Sequence, residues 1–201
     1  MTPSQYLKLE ERLNLILPRI TSEGFLHNKG LGNEIGFHIF DYPAEQEELV
    51  RGFIRSAIEP ALAKPPHNLK FKTVNLFELV IQLLKERKLY DKVLDKQLRD
   101  GNQQTLASLR SVLKEDKLAR HLTDHIDVGA LDLLLLTGVG AAYPMVRLHT
   151  LLSGLFPVMQ DTPLLAFYPG RYDGSSLRLF GQNTERNDAN APYYRAFQLL
   201  K

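Results

Sequence analysis

The chain has 201 residues, a net charge of +2 and no cysteine. The missing cysteines exclude disulfides, thiolate catalysis and cysteine-held zinc or iron–sulfur centres, and the small net charge supplies no field that would draw the whole molecule to nucleic acid or a membrane surface. With 44% hydrophobic residues, the length suits one α/β domain over residues 1–201 with a core of its own in a reducing cytoplasm.

Residues 4–18 place Tyr6, Leu7, Leu9, Leu13 and Ile16 among charged neighbours, which predicts an amphipathic helix ending before Pro18. The first twenty residues lack the order of a secretion signal. Phe25 to Asn33 is a turn-rich connection. Ile35-Gly36-Phe37-His38-Ile39-Phe40 is a short apolar run bounded by turn residues, hence a buried strand, stopping at Asp41-Tyr42-Pro43. Pro43 suits the first position of a helix, and Glu45, Glu47 and Glu48 suit its positive end. Val50, Phe53, Ile54, Ala57 and Ile58 then form one apolar stripe.

Leu69 to Val74 reads as a second strand, less buried on one face or edge. Asn75-Leu76-Phe77-Glu78 has the form of a capping box before an apolar helix. Residues 85–127 differ in character: between Lys85 and His121 stand ten Lys or Arg and six acidic residues, with a break at Asp100-Gly101. Three short helices, an insertion or subdomain, are expected there. Leu131 to Leu136 is the clearest buried strand. It runs into Thr137-Gly138-Val139-Gly140-Ala141-Ala142-Tyr143-Pro144 and then a helix with Met145, Leu148, Leu151, Leu152 and Leu155 on one side. The uncharged stretch here is too short to span a bilayer, so no membrane contact is expected. A strand at 163–167, a loop at 168–174 and an extended run at 176–180 follow. That loop is too short to cross over a sheet, so the two flanking strands pair antiparallel. Tyr193, Ala196, Phe197 and Leu200 have the spacing of a closing helix.

Strands alternating with helices imply a mostly parallel sheet covered on both faces, with a C-terminal antiparallel strand. Ligands bind such sheets beyond the carboxyl ends of the strands. His38, Asp41, Tyr42, Gly138 and Gly140 are the expected crevice-lining residues, and Tyr143, Arg147, Arg171, Tyr172, Asp173 and Arg178 the expected groups for a partner or an anion. Arg147 is placed one turn into its helix. Arginine clamps carboxylate and phosphate in a planar fork, and arginines and aromatics dominate interfaces.

No complete catalytic set is present. Tyr143 stands where a dinucleotide fingerprint needs its third glycine, so Gly138 and Gly140 read first as a tight turn. No Walker lysine exists, and no lysine at all lies between Lys117 and Lys201. His121 and His125 have a metal-compatible i, i+4 spacing without the glutamate of a zincin motif, and read instead as two histidines favoured at a helix C-terminus. His38, in its apolar strand, reads as a buried histidine and not as a general base. No metal, cofactor or catalytic residue is expected.

The segments GLGNEIGFHIFDYP (residues 30–43), LLLLTGVGAAYPMVRLHTLLSGL (133–155), LLAFYPGRYDGSSLRLFG (164–181) and YYRAFQLL (193–200) together resemble the BrxB family of bacteriophage-exclusion (BREX) systems. The resemblance implies an anti-phage defence protein acting beside a DNA methyltransferase, a large ATPase and PglZ, a member of the alkaline-phosphatase superfamily. It carries over no catalytic residue. The resulting expectation is a non-catalytic adaptor that binds PglZ or another component. A nucleotide or nucleic-acid sensor using the same arginine-rich crevice is the alternative; the basic helices at 85–120 could touch DNA, but the acidic residues between them argue for a solvated mixed-charge face.

Overall fold

The structure, a computed structural model, describes residues 3–28, 36–181 and 196–200, with side chains from Lys8 onward. The elements in chain order are α1 (Pro3–Ile20), α2 (Glu23–Leu26), β1 (Phe37–Tyr42), α3 (Glu47–Phe53), α4 (Glu59–Leu62), β2 (Phe71–Asn75), α5 (Leu76–Glu86), α6 (Tyr90–Leu109), α7 (Glu115–His125), β3 (Leu133–Thr137), α8 (Val139–Ala142), α9 (Leu148–Leu155), β4 (Leu164–Tyr172), β5 (Leu177–Leu179) and β6 (Phe197–Gln198). A π-turn at Ile54–Ile58 joins α3 to α4.

The sheet runs β2-β3-β4-β1-β6, every neighbouring pair parallel, and β5 pairs antiparallel with β4 beyond that path. This is the α/β architecture the alternation of strands and helices predicts. Strand side chains alternate between the two faces. Leu134, Leu136, Leu164, Ala166, Phe37 and Ile39 face the layer of α5, α7, α8 and α9. Leu133, Leu135, Leu165, Phe167 and Phe40 face α1 to α4. All eleven are almost fully buried, which explains why the central strands read as unbroken apolar runs instead of alternating ones.

Four local expectations change on the structure. The first helix continues through Pro18 to Ile20. Pro18 lies exposed near the helix end, where it forfeits one hydrogen bond, while Ile16 and Ile20 on the opposite side are buried completely. The strand at residues 35–40 starts at Phe37 and extends to Tyr42, because pairing with β4 reaches Tyr42↔Pro169. Most of the expected loop at 168–174 is strand, since β4 runs to Tyr172 and Gly170 to Tyr172 pair with Leu177 to Leu179. The expected closing helix is a strand where it is described. Phe197 and Gln198 add to the edge of β1, and the Leu199 amide donates to the Ile39 carbonyl at 2.9 Å. Of the residues with helical spacing there, Ala196 is buried while Phe197 and Leu200 are half-buried, and the buried Leu199 falls outside that spacing. Residues 29–35, Arg186, Tyr193 and Arg195 lie outside the described residues.

Other readings hold. Asn75 caps α5, its Oδ1 accepting from the amides of Phe77 and Glu78 at 3.0 and 3.3 Å. Gly101 breaks α6 with φ 82° and ψ 177°, dividing residues 85–127 into three helical segments after α5. Among the described residues no helix is long and apolar enough to cross a membrane.

Candidate functional site

The connection leaving β1 packs on one face of the sheet, and the helices leading into β4 pack on the other. Two neighbouring strands whose connections part in this way leave a gap at their carboxyl ends. Here β4 outruns β1 by three residues and folds into the hairpin with β5, making one wall of that gap. The segment after β1, Arg12 of α1 and the end of β6 make the others. The crevice encloses about 760 Å³, and Asp41, Arg171, Tyr172, Asp173, Arg178 and Phe180 are among its lining residues.

Asp41 is the hinge of this rim. Its Oδ1 accepts from Arg12 Nη2 at 2.8 Å and its Oδ2 from the Tyr172 amide at 3.0 Å, with the carboxylate mostly buried. Arg12 also lies over the Phe40 ring, 4.8 Å from its centroid. Arg12 therefore fastens α1 to the strand ends. Nothing in the helical pattern of residues 4–18 distinguishes it from any other exposed arginine, so sequence reasoning missed it.

Tyr42 and Tyr172 differ from the expectation of exposed binding aromatics. Both are buried. The Tyr42 hydroxyl donates to Glu47 Oε2 at 2.5 Å, and burial, reinforced by that carboxylate, pushes its pKa far above the phenol range. The Tyr172 hydroxyl donates to the Ala196 carbonyl at 2.7 Å, tying the hairpin to β6. Asp173 serves the hairpin turn: its carboxylate accepts from the amides and hydroxyls of Ser175 and Ser176, at 2.7 to 3.0 Å. Those bonds, the Ser176 ones first, hold its pKa well below the carboxylate range.

Arg171 and Arg178 stand directly opposite each other across the hairpin. Like charges at such a position repel. Arg178 has a loose neighbour in Asp173, 3.7 Å away and half exposed. Arg171 has no carboxylate within ion-pair distance among the described residues. The rim thus holds two exposed arginines with, among the described residues, only the Asp173 carboxylate within ion-pair distance of either, beside the half-exposed Phe180 ring.

The glycine turn is the third expected wall, and it meets this rim through Phe180. Gly138 has φ 69°, and a side chain there would collide with Asn75. At Gly140 a Cβ would stand 2.8 Å from Pro169 Cγ and 3.2 Å from the Phe180 ring. Both glycines are therefore required by turn geometry and close packing, with no phosphate invoked. Tyr143 packs edge-on to Phe180 at 6.2 Å between centroids. So residues 41–43, 138–143 and 168–174 share one end of the sheet, with Tyr143 and Gly140 against Phe180 and Gly138 against Asn75, none of the three lining the crevice. Arg147 is not inside a helical turn. It is the exposed N-cap residue of α9 and does not line the crevice.

His38 also lies away from the crevice. It is packed between Phe25 and Phe197, ring centroids 4.4 and 5.8 Å away. Burial, with a smaller contribution from Arg19, lowers its pKa to about 4. Above pH 6.5 the ring is neutral in both folded and unfolded chains. As pH falls below 6.5 the unfolded chain takes up a proton that the folded chain refuses, so stability drops until about pH 4. The expected loss from this residue between pH 7.5 and 5 is about 2 kcal/mol. Chemical denaturation at the two pH values measures it, and His38→Phe should remove that part of the pH dependence. An unchanged pH profile in the variant would refute this assignment.

With the geometry established, the comparisons with known proteins are specific. A sequence model described as "BREX protein BrxB" matches residues 72–199. A protein of that description from Bacillus cereus (strain H3081.97) is 39% identical over 197 residues, covering 96% of this chain and 98% of the relative. Another from Escherichia coli O9:H4 (strain HS) is 40% identical over 192 residues, covering 96% and 92%. No solved structure matches the chain.

Proposed function

Because the chain belongs to the BrxB family of BREX proteins, we propose that it is a non-catalytic adaptor of a BREX anti-phage complex, and that the crevice at the ends of β1 and β4 receives another component, with the PglZ-type protein as first choice. The observation that carries this reading is the Arg171–Arg178 pair: two cations are held face to face at an open rim, at a cost to the hairpin that an acidic or carboxylate-bearing partner surface would offset. Phe180, Pro43 and Leu200 give the same rim apolar area, so it combines the arginine and aromatic groups that dominate interface energetics.

The polar groups favour docking over chemistry. Asp41 is engaged by Arg12 and Tyr172, Tyr42 by Glu47, and Asp173 by its own turn. A general base needs a free lone pair within reach of substrate, and both oxygens of Asp41 and of Asp173 already accept from protein donors. Purification from cells carrying the complete system tests the proposal. The PglZ-type protein should co-purify at physiological salt; recovery of the chain alone would defeat the adaptor reading. The same arginines favour one second reading, an anion site for a nucleotide or a short nucleic acid strand. Thermal stabilisation by nucleotides or short DNA, lost in Arg171→Ala, would select it over the adaptor.

A further inference from the structure

A second cluster of chemistry lies away from the crevice, on the helical layer. Glu86 is the last residue of α5, and His121 and His125 are one turn apart on α7. The fold brings one ligand atom from each to within 4.8 Å of the others. Glu86 Oε1 is 3.0 Å from His125 Nε2, and Glu86 Oε2 is 3.5 Å from His121 Nδ1. We propose that Glu86, His121 and His125 form a binding site for a divalent transition-metal ion of the zinc class, which clasps the end of α5 to α7.

The donor set is two imidazoles and one carboxylate, the borderline ligands that Zn²⁺ takes. Bonds of about 2.0–2.2 Å in a tetrahedron place donor atoms about 3.4 Å apart. The two carboxylate–imidazole separations bracket that distance. The ring chemistry is also suitable. His125 Nδ1 lies 2.8 Å from the His121 carbonyl. A carbonyl only accepts, so Nδ1 carries the hydrogen and, in the neutral ring, the lone pair is on Nε2, the atom that faces Glu86. Orientation of a ligating imidazole by a carbonyl on its other nitrogen is the usual support for such a ligand.

His121 supplies a second, independent observation. It is 5% exposed. Among the described residues its Nε2 has no hydrogen-bond partner, and Nδ1, the nitrogen that faces the cluster, stands 3.5 Å from Glu86 Oε2, too long for a good hydrogen bond. A buried polar ring this poorly satisfied costs free energy unless something else binds it. A divalent ion held by Glu86, His121 Nδ1 and His125 Nε2 would give Nδ1 the close partner it lacks. The side chains of Glu86 and His125 are 44% and 39% exposed, which leaves an entry path and an open fourth position for water.

The test uses the untagged full chain, stripped with a chelator and titrated with Zn²⁺ alone by calorimetry. Binding of one equivalent is expected, with affinity reduced at least tenfold in His125→Ala and in Glu86→Gln and unchanged in Asp124→Asn, a neighbouring carboxylate outside the cluster. Both decisive variants alter solvent-accessible side chains, so their folding is checked by the unaltered melting profile in chelator. Added Zn²⁺ should raise the melting temperature of the parent chain and not of His125→Ala. No saturable binding, or binding equal in parent and variants, would overturn the proposal.

Discussion

Reversing both rim arginines, Arg171→Glu with Arg178→Glu, is expected to reduce affinity for the BREX partner at least 100-fold and to remove it from the co-purified complex. An anchoring arginine at an interface centre contributes about 2 kcal/mol or more, and two neighbours do not add fully. A combined loss of about 3 kcal/mol is therefore the conservative figure, and each 1.4 kcal/mol is tenfold. The fold should survive. Both side chains are exposed, and the variant exchanges one like-charged cross-strand pair for another. A melting temperature close to the parent's, with the partner lost, separates docking from misfolding. Arg171→Lys with Arg178→Lys keeps the charge but not the planar fork, and should retain an intermediate affinity. Undiminished recovery of the partner by the double Glu variant would mean that docking occurs elsewhere.

The second large effect concerns the scaffold of that rim. Asp41→Ala leaves the Arg12 guanidinium and the Tyr172 amide without their shared acceptor. The expected cost is about 2–3 kcal/mol, because a lost charged hydrogen-bond partner strands the groups that remain. About a third of the Arg12 side chain still meets water, which keeps the figure below that of a fully buried pair. Arg12→Ala should cost less, since it leaves Asp41 bonded to the Tyr172 amide, although it removes the stacking over Phe40. Combined, the two changes should cost less than their sum by about 1 kcal/mol or more in urea denaturation. Additivity to within about 0.5 kcal/mol would show that Asp41 and Arg12 act independently, and that α1 does not brace the crevice.

The parts of this molecule that could be read from its sequence are those with local causes. The central strands are apolar runs because both of their faces are covered. The α5 cap and the Gly101 break follow from side-chain and backbone chemistry within four residues. The antiparallel β5 follows from the short turn at Asp173-Gly174. What escaped has non-local causes. β4 continues through Pro169 because β5 pairs with its far end, and the last residues extend because β1 has an open edge for them. Tyr172 looks like a loop aromatic until the residue before β6 supplies the Ala196 carbonyl. Arg12 joins the rim across 29 residues of sequence, and Glu86 joins the two histidines only because α5 and α7 pack side by side. Arg171 and Arg178 were visible as candidates, but their face-to-face position depends on the hairpin register.

The most direct measurement is site-specific photo-crosslinking in cells that carry the whole system, with the reactive group at Phe180 and, as a control, at the exposed Leu98 of α6. A crosslink from position 180 to the PglZ-type protein, absent from position 98 and lost with the Arg171→Glu/Arg178→Glu pair, is the expected result. A complex that still purifies while position 180 yields no crosslink and position 98 does would contradict the account and move the docking surface to α6.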